Sequence, residues 1–190
     1  VDVTCITMRK NALYHDYGSG LTDMLVPDNM AMEGKVFGLC KQVAPSVVNV
    51  HVPAQGRRFH GYIQVENPGP GEVRDALMAA LSYRRLKLAI AVNEDIDIFD
   101  DSEMFFAMAT RVQWSRDSFT VDGLSGSLLD PSTPAGSKTL SKMAIDASMP
   151  LPGRAGAPPP IPPRSKVPDE AMQRAAEILS GLDMNDWPTL

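Results

Sequence analysis

Residues 86–92 predict a β-strand that is apolar on both of its faces. Large aliphatic side chains alternate with alanines along it: the larger residues are Leu86, Leu88, Ile90 and Val92, and the alanines are Ala89 and Ala91. A strand that is apolar on both faces is buried on both faces. This run is therefore typical of the central strand of a sheet that has helices on either side.

Strand and helix signals alternate around this run. Residues 46–52 and 59–66 have the composition and alternation of strands, and residues 1–7 are also strand-like. Apolar residues spaced three and four apart predict helices over residues 28–41 and 70–83. Helices between strands favour an α/β fold, namely a three-layer αβα sandwich around a mostly parallel or mixed sheet.

A further helix is predicted after an acidic run at residues 94–101. Ser102 is a suitable N-cap for it, and its predicted inner stripe consists of Phe105, Met108, Ala109 and Val112. The acidic run lacks the spacing of an EF-hand calcium loop. Acids that end a strand and cap the next helix explain it without a metal, although this end of the sheet is where open α/β sheets usually bind ligands.

Proline divides the chain. Eight of the 16 prolines lie between Pro150 and Pro168, and because proline lacks the N–H that helices and sheets need, this stretch predicts an extended arm. We therefore expect an α/β domain at residues 1–148, a Pro-rich extended arm at 149–168 and a C-terminal helix at 169–190. The apolar stripe of that helix, Met172, Ala175, Ala176 and Leu179, predicts docking on its own body or on a partner subunit.

Composition excludes several classes of function. Eighteen Lys and Arg against 23 Asp and Glu leave a net charge of −5, which gives no reason to expect a nucleic acid or an anionic membrane as partner. No apolar run reaches the length of about 18 residues that a membrane span needs. Two cysteines, Cys5 and Cys40, fit a reducing compartment, so we expect a cytoplasmic protein. The start at Val1, within a strand-like pattern, suggests a fragment, a processed chain or a subunit.

The sequence contains no complete catalytic motif. His15, His51 and His60 lie far apart and share no metal-ligand spacing. A nucleophile elbow, a P-loop, a Cys–His dyad and a paired-carboxylate motif are all missing from the sequence. From the residues alone we predict no catalytic residue and no metal site.

Two segments are candidates for binding a phosphate. Gly69 and Gly71 precede the helix at 70–83 and could cradle one, but the neighbouring prolines remove donors, so a simple turn is the better interpretation. Residues 82–87 form the only compact basic cluster that we identify in the body, directly before the buried strand. They could meet a phosphate or a carboxylate, or form a solvated loop.

Several segments resemble, in order, the UbiD family of decarboxylases, which use prenylated FMN. The opening residues 3–14 are similar to the family's first strand and turn, and Thr22-Asp23 with the helix that follows is similar to its "DE" turn. The remaining similar segments are residues 89–97 ("VIVVDeDID" in the family), 107–111 ("waiaTR"), 129–132 ("LDPaS") and 141–148 ("SKMGIDAT"). The ordered set runs from residue 3 to residue 148.

The resemblance covers only the C-terminal domain of that family. It implies that a flavin-binding barrel domain or large subunit, absent from this sequence, carries the Glu–Arg–Glu catalytic network. That part would also hold most of the prenylated FMN, a divalent metal and optionally K⁺. The resemblance further implies a homo-oligomer that forms through the C-terminal arm and helix.

By position, the resemblance implies a substrate-pocket wall and one basic contact to the flavin phosphate. The wall residues would be Asp23, Met24, Leu25, Asn29, Met30, Ser127, Leu128 and Leu129, and the basic contact would be Arg84, Arg85 or Lys87. Many family members have Glu where this chain has Met24. Because Met has no acidic group, this difference argues against an acid role at this turn.

The reaction that this resemblance implies is a carboxy-lyase reaction. It is the reversible, non-oxidative decarboxylation of an aromatic or α,β-unsaturated carboxylic acid, carried out by a larger enzyme of which the isolated chain is inactive. A second hypothesis is a non-catalytic oligomerisation or assembly module. A third, an independent nucleotide-binding domain, depends only on Gly69 and Gly71.

Overall fold

The computed structural model describes residues 2–18, 20–150, 165 and 167–181. They belong to two compact units, Val1–Ala157 and Pro158–Leu190. The helices are α1 (Thr22–Val43), α2 (Glu72–Ser82), α3 (Asp101–Arg111), α4 (Trp114–Asp117) and α5 (Asp169–Ser180), with a 3₁₀ turn at Ala54–Gly56. The strands are β1 (Val47–His51), β2 (His60–Val65), β3 (Leu88–Asn93), β4 (Ser118–Ser125) and β5 (Thr139–Asp146).

The five strands form one mixed sheet in the order β1-β2-β3-β5-β4. Strands β2, β3 and β5 are parallel, whereas β1 and β4 are antiparallel strands at the two edges. The central strand β3 pairs Leu88 with His60 of β2 on one side and with Met143 of β5 on the other. Parallel neighbours need crossover connections, and helix α2 supplies the one between β2 and β3.

Each face of the sheet has its own apolar core. One core packs α1 and α2 against residues that include Ala89 and Ala91 of β3. The other packs α3 against residues that include Ile90 and Val92 of the same strand. Alternate residues of β3 therefore belong to opposite cores. The prediction of an α/β fold with helices on both faces of a mixed sheet is confirmed.

Helix α1 begins earlier than predicted. It starts at Thr22 rather than at residue 28 and includes Pro27, which has no N–H to donate to the Asp23 carbonyl. The first turns are held because Leu25 and Asn29 are buried. Packing therefore overrides the helix-ending signal of the proline.

Residues 2–18 form no helix or strand, so the strand predicted at residues 1–7 is wrong for the described residues 2–7. Their apolar side chains stay in solvent, and Ile6 is 77% exposed. A strand needs a neighbour for its N–H and C=O groups. The described part of the chain provides no neighbouring strand for this segment.

Helix α3 is rotated relative to its prediction. Asp100, and not Ser102, is the N-cap: its carboxylate accepts a hydrogen bond from the Ser102 N–H at 2.8 Å. The buried residues of the helix are Met104, Ala107 and Arg111. Of the predicted inner stripe, Met108 and Val112 are partly buried and pack against the core, whereas Ala109 is exposed and Phe105 is 65% exposed.

The predicted Pro-rich arm at 149–168 falls largely on residues 151–164 and 166, outside the described residues. In the unit Pro158–Leu190, α5 begins directly after Pro168 and ends at Ser180. Met172 and Leu179, from the predicted apolar stripe, are exposed. Within the described ranges, no helix has the length and apolarity to cross a membrane.

The Ile63→Ala substitution is expected to destabilise the α/β unit by about 2–5 kcal/mol, because Ile63 is fully buried in the core between β2 and the helices α1 and α2. Urea unfolding followed by circular dichroism would measure this. Val48→Ala on the edge strand β1 is the control; its side chain is 40% exposed, so its effect should stay within about 1 kcal/mol. Equal losses in both variants would contradict the assigned core.

Candidate functional site

The loops that precede β2 and β3 meet at the end of the sheet where these parallel strands begin. The Phe59 carbonyl accepts hydrogen bonds from the N–H groups of Lys87, at 2.7 Å, and Leu88, at 2.9 Å. Arg57 and Arg58 have left-handed backbone angles, with φ values of 49° and 72°, which are uncommon for residues other than glycine. The two loops thus bring Arg57, Arg58, Arg85 and Lys87 to the amino ends of the parallel strands.

Two of these arginines share one carboxylate on helix α1. Arg58 Nη1 lies 2.9 Å from Asp28 Oδ2, and Arg85 Nη1 lies 3.2 Å from the same oxygen. The Asn29 side chain donates to the Val52 carbonyl at 2.9 Å, which ties the same helical turn to the segment before Arg57. The helix that contains the first predicted wall segment is therefore fixed to both loops.

The ion pair of Lys87 ties the loop before β3 to the second predicted wall segment. Lys87 Nζ lies 3.0 Å from Asp130 Oδ2 and also contacts the Ser132 hydroxyl. Asp130 accepts further hydrogen bonds from the Ser132 N–H, at 2.9 Å, and from its hydroxyl, at 2.8 Å. Burial acts to raise the pKa of Asp130, but the bonds from Ser132 and Lys87 outweigh it and hold the pKa below its ordinary value.

Lys142 anchors the loop before β3 through buried hydrogen bonds. It lies on β5 and is only 1% exposed, and its Nζ donates to the carbonyls of Leu81, at 2.8 Å, and Tyr83, at 2.9 Å, with Arg84 O at 3.5 Å. Carbonyls at the end of a helix lack helical partners and attract a cation. Burial lowers the pKa of Lys142 to about 8.

The predicted wall residues divide into buried and exposed sets. Leu25, Asn29 and Ser127 are buried, so their side chains are not available to a ligand at the surface. Asp23, Met24, Met30, Leu128 and Leu129 are exposed and are available to a ligand or to a partner. The two wall segments are connected through Arg85 and Lys87, whereas the Arg84 side chain is exposed and only its carbonyl takes part in the loop.

A cleft of about 450 Å³ lies beside Lys87, and its lining includes the acidic residue Asp122. Three serines of the lining already donate their hydroxyl protons within the chain: Ser132 to Asp130, Ser137 to the Thr139 carbonyl and Ser141 to Asp122. Lys87 is the cation that the lining offers to a phosphate oxygen.

Two of the three histidines lie in strands, His51 at the end of β1 and His60 at the start of β2. His51 Nδ1 lies 2.7 Å from Glu33 Oε1, which also accepts from the Val52 N–H at 2.8 Å. Burial, and secondarily Lys87, lower the pKa of His60. His15 is exposed. Among the described residues, no three His, Cys, Asp or Glu side chains are grouped so that they could hold a metal ion.

Side chains of the acidic run and of the glycine-rich turn bind other residues of this chain. Asp95 pairs with the buried Arg111, whose Nη1 lies 3.2 Å from Asp95 Oδ1. At the glycine-rich turn, the Glu72 carboxylate accepts the Gly69 N–H at 2.7 Å. A carboxylate therefore already occupies the place that a phosphate would take, which argues against the nucleotide-binding hypothesis.

Sequence reasoning missed part of this site. The cluster at 82–87 is not the only compact basic cluster, because Arg57 and Arg58 are adjacent in the sequence and Arg58 meets Arg85 at Asp28. The Arg-Arg pair directly before a predicted strand was the available signal. Asp130 and Lys142 lie in segments that carry the family resemblance, but nothing in the sequence indicated the partners of Asp28, Asp130 or Lys142, since only the fold brings these residues to this end of the sheet.

Known proteins confirm the family. The model of the UbiD family's 3-octaprenyl-4-hydroxybenzoate carboxy-lyase C-terminal domain matches residues 29–147. This match covers more than half of the chain, so the chain belongs to this family, and the resemblance found in the sequence is confirmed.

Among curated relatives, the anhydromevalonate phosphate decarboxylase of Archaeoglobus fulgidus is 41% identical over 130 residues, which are 67% of this chain and 29% of that protein. The protein of the same name from Methanosarcina mazei is 33% identical over 150 residues, 78% of this chain and 35% of that protein. The chain thus spans about a third of the length of the curated relatives that it matches.

Solved structures agree with this assignment. The UbiD-class enzyme HmfF from Pelotomaculum thermopropionicum, in complex with FMN, matches with a TM-score of 0.69 and 32% identity, over 82% of this chain and 34% of that chain. Vanillic acid decarboxylase from Sedimentibacter hydroxybenzoicus matches with a TM-score of 0.65 and 25% identity, over 78% and 32% respectively.

The stability of the α/β unit is expected to respond to the titration of Lys142. Its pKa of about 8 in the folded chain lies below the ordinary value of 10.5, so the unfolded state binds more protons between these values. The folded state therefore gains stability from this group as the pH rises through that window. Lys142→Met removes the titration, and the free energy of unfolding of wild type minus variant, from urea curves, should rise with pH there. A flat difference would contradict a buried ammonium.

Proposed function

We propose that this chain is the C-terminal domain or small subunit of a UbiD-like decarboxylase. The reaction is the reversible, non-oxidative decarboxylation of an aromatic or α,β-unsaturated carboxylic acid with prenylated FMN. The observation that carries the proposal is the family match together with the loop before β3, whose Arg85 and Lys87 are paired to Asp28 and Asp130 beside the two predicted wall segments.

The two free cysteines, one exposed and one buried, favour a cytoplasmic location.

Lys87 is the best placed of the three candidate contacts to the flavin phosphate. Its side chain is 36% exposed and lines the cleft, whose lining does not include Arg84 or Arg85. The ammonium of Lys87 fits a phosphate oxygen, whereas the serine hydroxyls of the cleft already donate within the chain. In this proposal the rest of the cofactor, the divalent metal and K⁺ are held by the flavin-binding part of the enzyme.

When bound, prenylated FMN supplies the sink for the electron pair that remains as CO₂ departs. The tasks of this chain are to position the acid and to exclude water from it. Met24, Met30 and Leu129 present exposed apolar surface that suits a planar, unsaturated acid. The buried Asn29 and Ser127 hold these side chains in place through the hydrogen bonds to Val52 O and from Leu129 N.

The names of the similar proteins support this class of reaction. The curated relatives are anhydromevalonate phosphate decarboxylases, and among the solved structures HmfF carries FMN or prenylated FMN. A phosphorylated, α,β-unsaturated acid is therefore the favoured substrate within the proposed class. Vanillic acid decarboxylase, a further structural match, supports an aromatic acid as the alternative.

Assembly is a second function that specific observations favour. Helix α5 leaves Met172, Ile178 and Leu179 exposed, and residues 2–18 leave Ile6 and Leu13 exposed. Apolar surfaces of this kind are buried when a partner binds. In the proposal, α5 docks on a partner subunit, and residues 1–148 form the domain that adjoins the flavin-binding part.

Native mass spectrometry of the protein purified from its source is expected to find this chain together with a flavin-binding part and the mass of prenylated FMN. The reason is that no complete catalytic site is present in the described residues of the chain. Decarboxylation should require both parts. A homo-oligomer of the 190-residue chain that decarboxylates an unsaturated acid at the rate of a complete enzyme would contradict this division.

Enlarging a wall residue separates the pocket role from the assembly role. Met24→Phe and Leu129→Phe in the complete enzyme are expected to change the ratio of kcat/KM between a small unsaturated acid and an aromatic acid by about tenfold, since one to three kcal/mol is typical for altered pocket shape. Met78→Phe is the matched control on α2, with 42% exposure against 38% for Met24. Altered assembly with an unchanged substrate ratio would favour the assembly module.

A further inference from the structure

We propose that Arg58 and Arg85 form a subsite that binds a phosphate monoester carried by the substrate. This inference rests on the proposed function and extends it, because it assigns a second polar end of the substrate to residues of this chain. It is separate from the flavin-phosphate contact proposed for Lys87, which lies on the other side of the loop, paired to Asp130.

The charge of the arginine cluster is unbalanced. Arg58 and Arg85 share the single carboxylate of Asp28, and Arg57 donates to the Gly20 carbonyl, which is neutral. The two guanidinium groups of Arg58 and Arg85 therefore share one carboxylate, and this cluster keeps an excess of one positive charge. An excess of this kind in a chain with a net charge of −5 attracts an anion to this place.

The guanidinium groups have donors left for a ligand. Arg58 uses Nη1 for Asp28, and its buried Nε has no hydrogen-bond partner within the described residues. A buried donor without an acceptor costs free energy that an oxyanion would relieve. Arg85 is 35% exposed and Asp28 is 40% exposed, so the cluster can be reached from solvent. Planar guanidinium groups bind phosphate oxygens in pairs.

The position of the cluster sets the size of the substrate. Met24 and Asp28 are four residues apart on α1, so they lie on the same face, with Cβ atoms about 5–6 Å apart. A phosphate at the arginines would therefore lie about one helical turn from the predicted apolar wall. This spacing suits a short aliphatic acid with a phosphate at its far end, and it is too short for a long prenyl chain between the two groups.

The test uses the complete enzyme, with anhydromevalonate phosphate and unphosphorylated anhydromevalonate as substrates and inorganic phosphate as a competing ligand. The Arg58→Gln/Arg85→Gln double variant is expected to raise KM for the phosphorylated acid, and the inhibition constant of phosphate, by about tenfold or more, because each charge-assisted hydrogen bond is strong. KM for the unphosphorylated acid should stay unchanged. Arg116→Gln is the matched control: Arg116 pairs with Asp117 and is 39% exposed, and this variant should bind both acids like wild type.

A second variant separates binding from a purely structural ion pair. Asp28→Asn removes the carboxylate but keeps its shape, so the cluster gains one net charge and should bind inorganic phosphate several-fold more tightly at low salt. Phosphate binding that is unchanged or weaker in Asp28→Asn, in a protein with wild-type circular dichroism, would overturn the subsite. So would a double variant whose preference for the phosphorylated acid is intact.

Flavin content distinguishes the two sources of a phosphate group. A double variant that loses bound flavin, while its KM values stay unchanged, would overturn the assignment to the substrate. If the complete enzyme decarboxylates unphosphorylated acids without regard to the arginines, the subsite fails and the proposed decarboxylase stands. If no acid is decarboxylated but phosphate binding depends on Arg58 and Arg85, the subsite stands and the proposed function fails.

Discussion

Burial of β3 on both faces determines where polar chemistry can lie in this domain. Since every described side chain between Ala89 and Val92 is buried, polar groups are confined to the two ends of the strand. The carboxyl end carries the acidic run, and its acids act within the fold: Asp95 pairs with Arg111, and Asp100 caps α3. A buried Nε without a partner among the described residues is found at both ends, in Arg58 at the amino end and in Arg111 at the carboxyl end. In the proposed function the phosphate contacts lie at the amino end, whereas open α/β sheets usually bind ligands at the carboxyl ends of their strands.

The loop before β3 is held by two kinds of interaction that differ in strength. Its ion pairs with Asp28 and Asp130 are partly exposed on at least one side, and such pairs contribute little to stability on their own. The bonds from Lys142 to the carbonyls at the end of α2 are buried, where an unsatisfied group would be costly. Lys142 therefore fixes the course of the loop, whereas the ion pairs remain free to exchange partners with a ligand.

The sequence predicted elements whose signal is local and missed those that depend on distant contacts. Strands β1, β2 and β3 and helix α2 appear close to their predicted positions, because alternation and apolar spacing are properties of short segments. The first turns of α1 were missed because Pro27 hides them, and the inner face of α3 was misplaced because Phe105 is as apolar as the buried Met104. The resemblance named the wall segments in advance. It did not indicate the contacts of Asp28 or Lys142, because these contacts form only when β5, α1 and the loops are brought together by the fold.

Two turns of this domain show why charge balance, more than loop shape, decides where an anion can bind. The glycine-rich turn before α2 has the shape of a phosphate cradle, but Glu72 fills it with a carboxylate of the chain itself, held by the N–H groups of Gly69 and Ser46. Those bonds lower the pKa of Glu72 despite the opposing effect of burial, so its charge is retained at neutral pH. The cluster of Arg58 and Arg85 has no glycine signature, yet its single carboxylate leaves an excess of one positive charge. An external anion would be repelled at the first turn and attracted at the second.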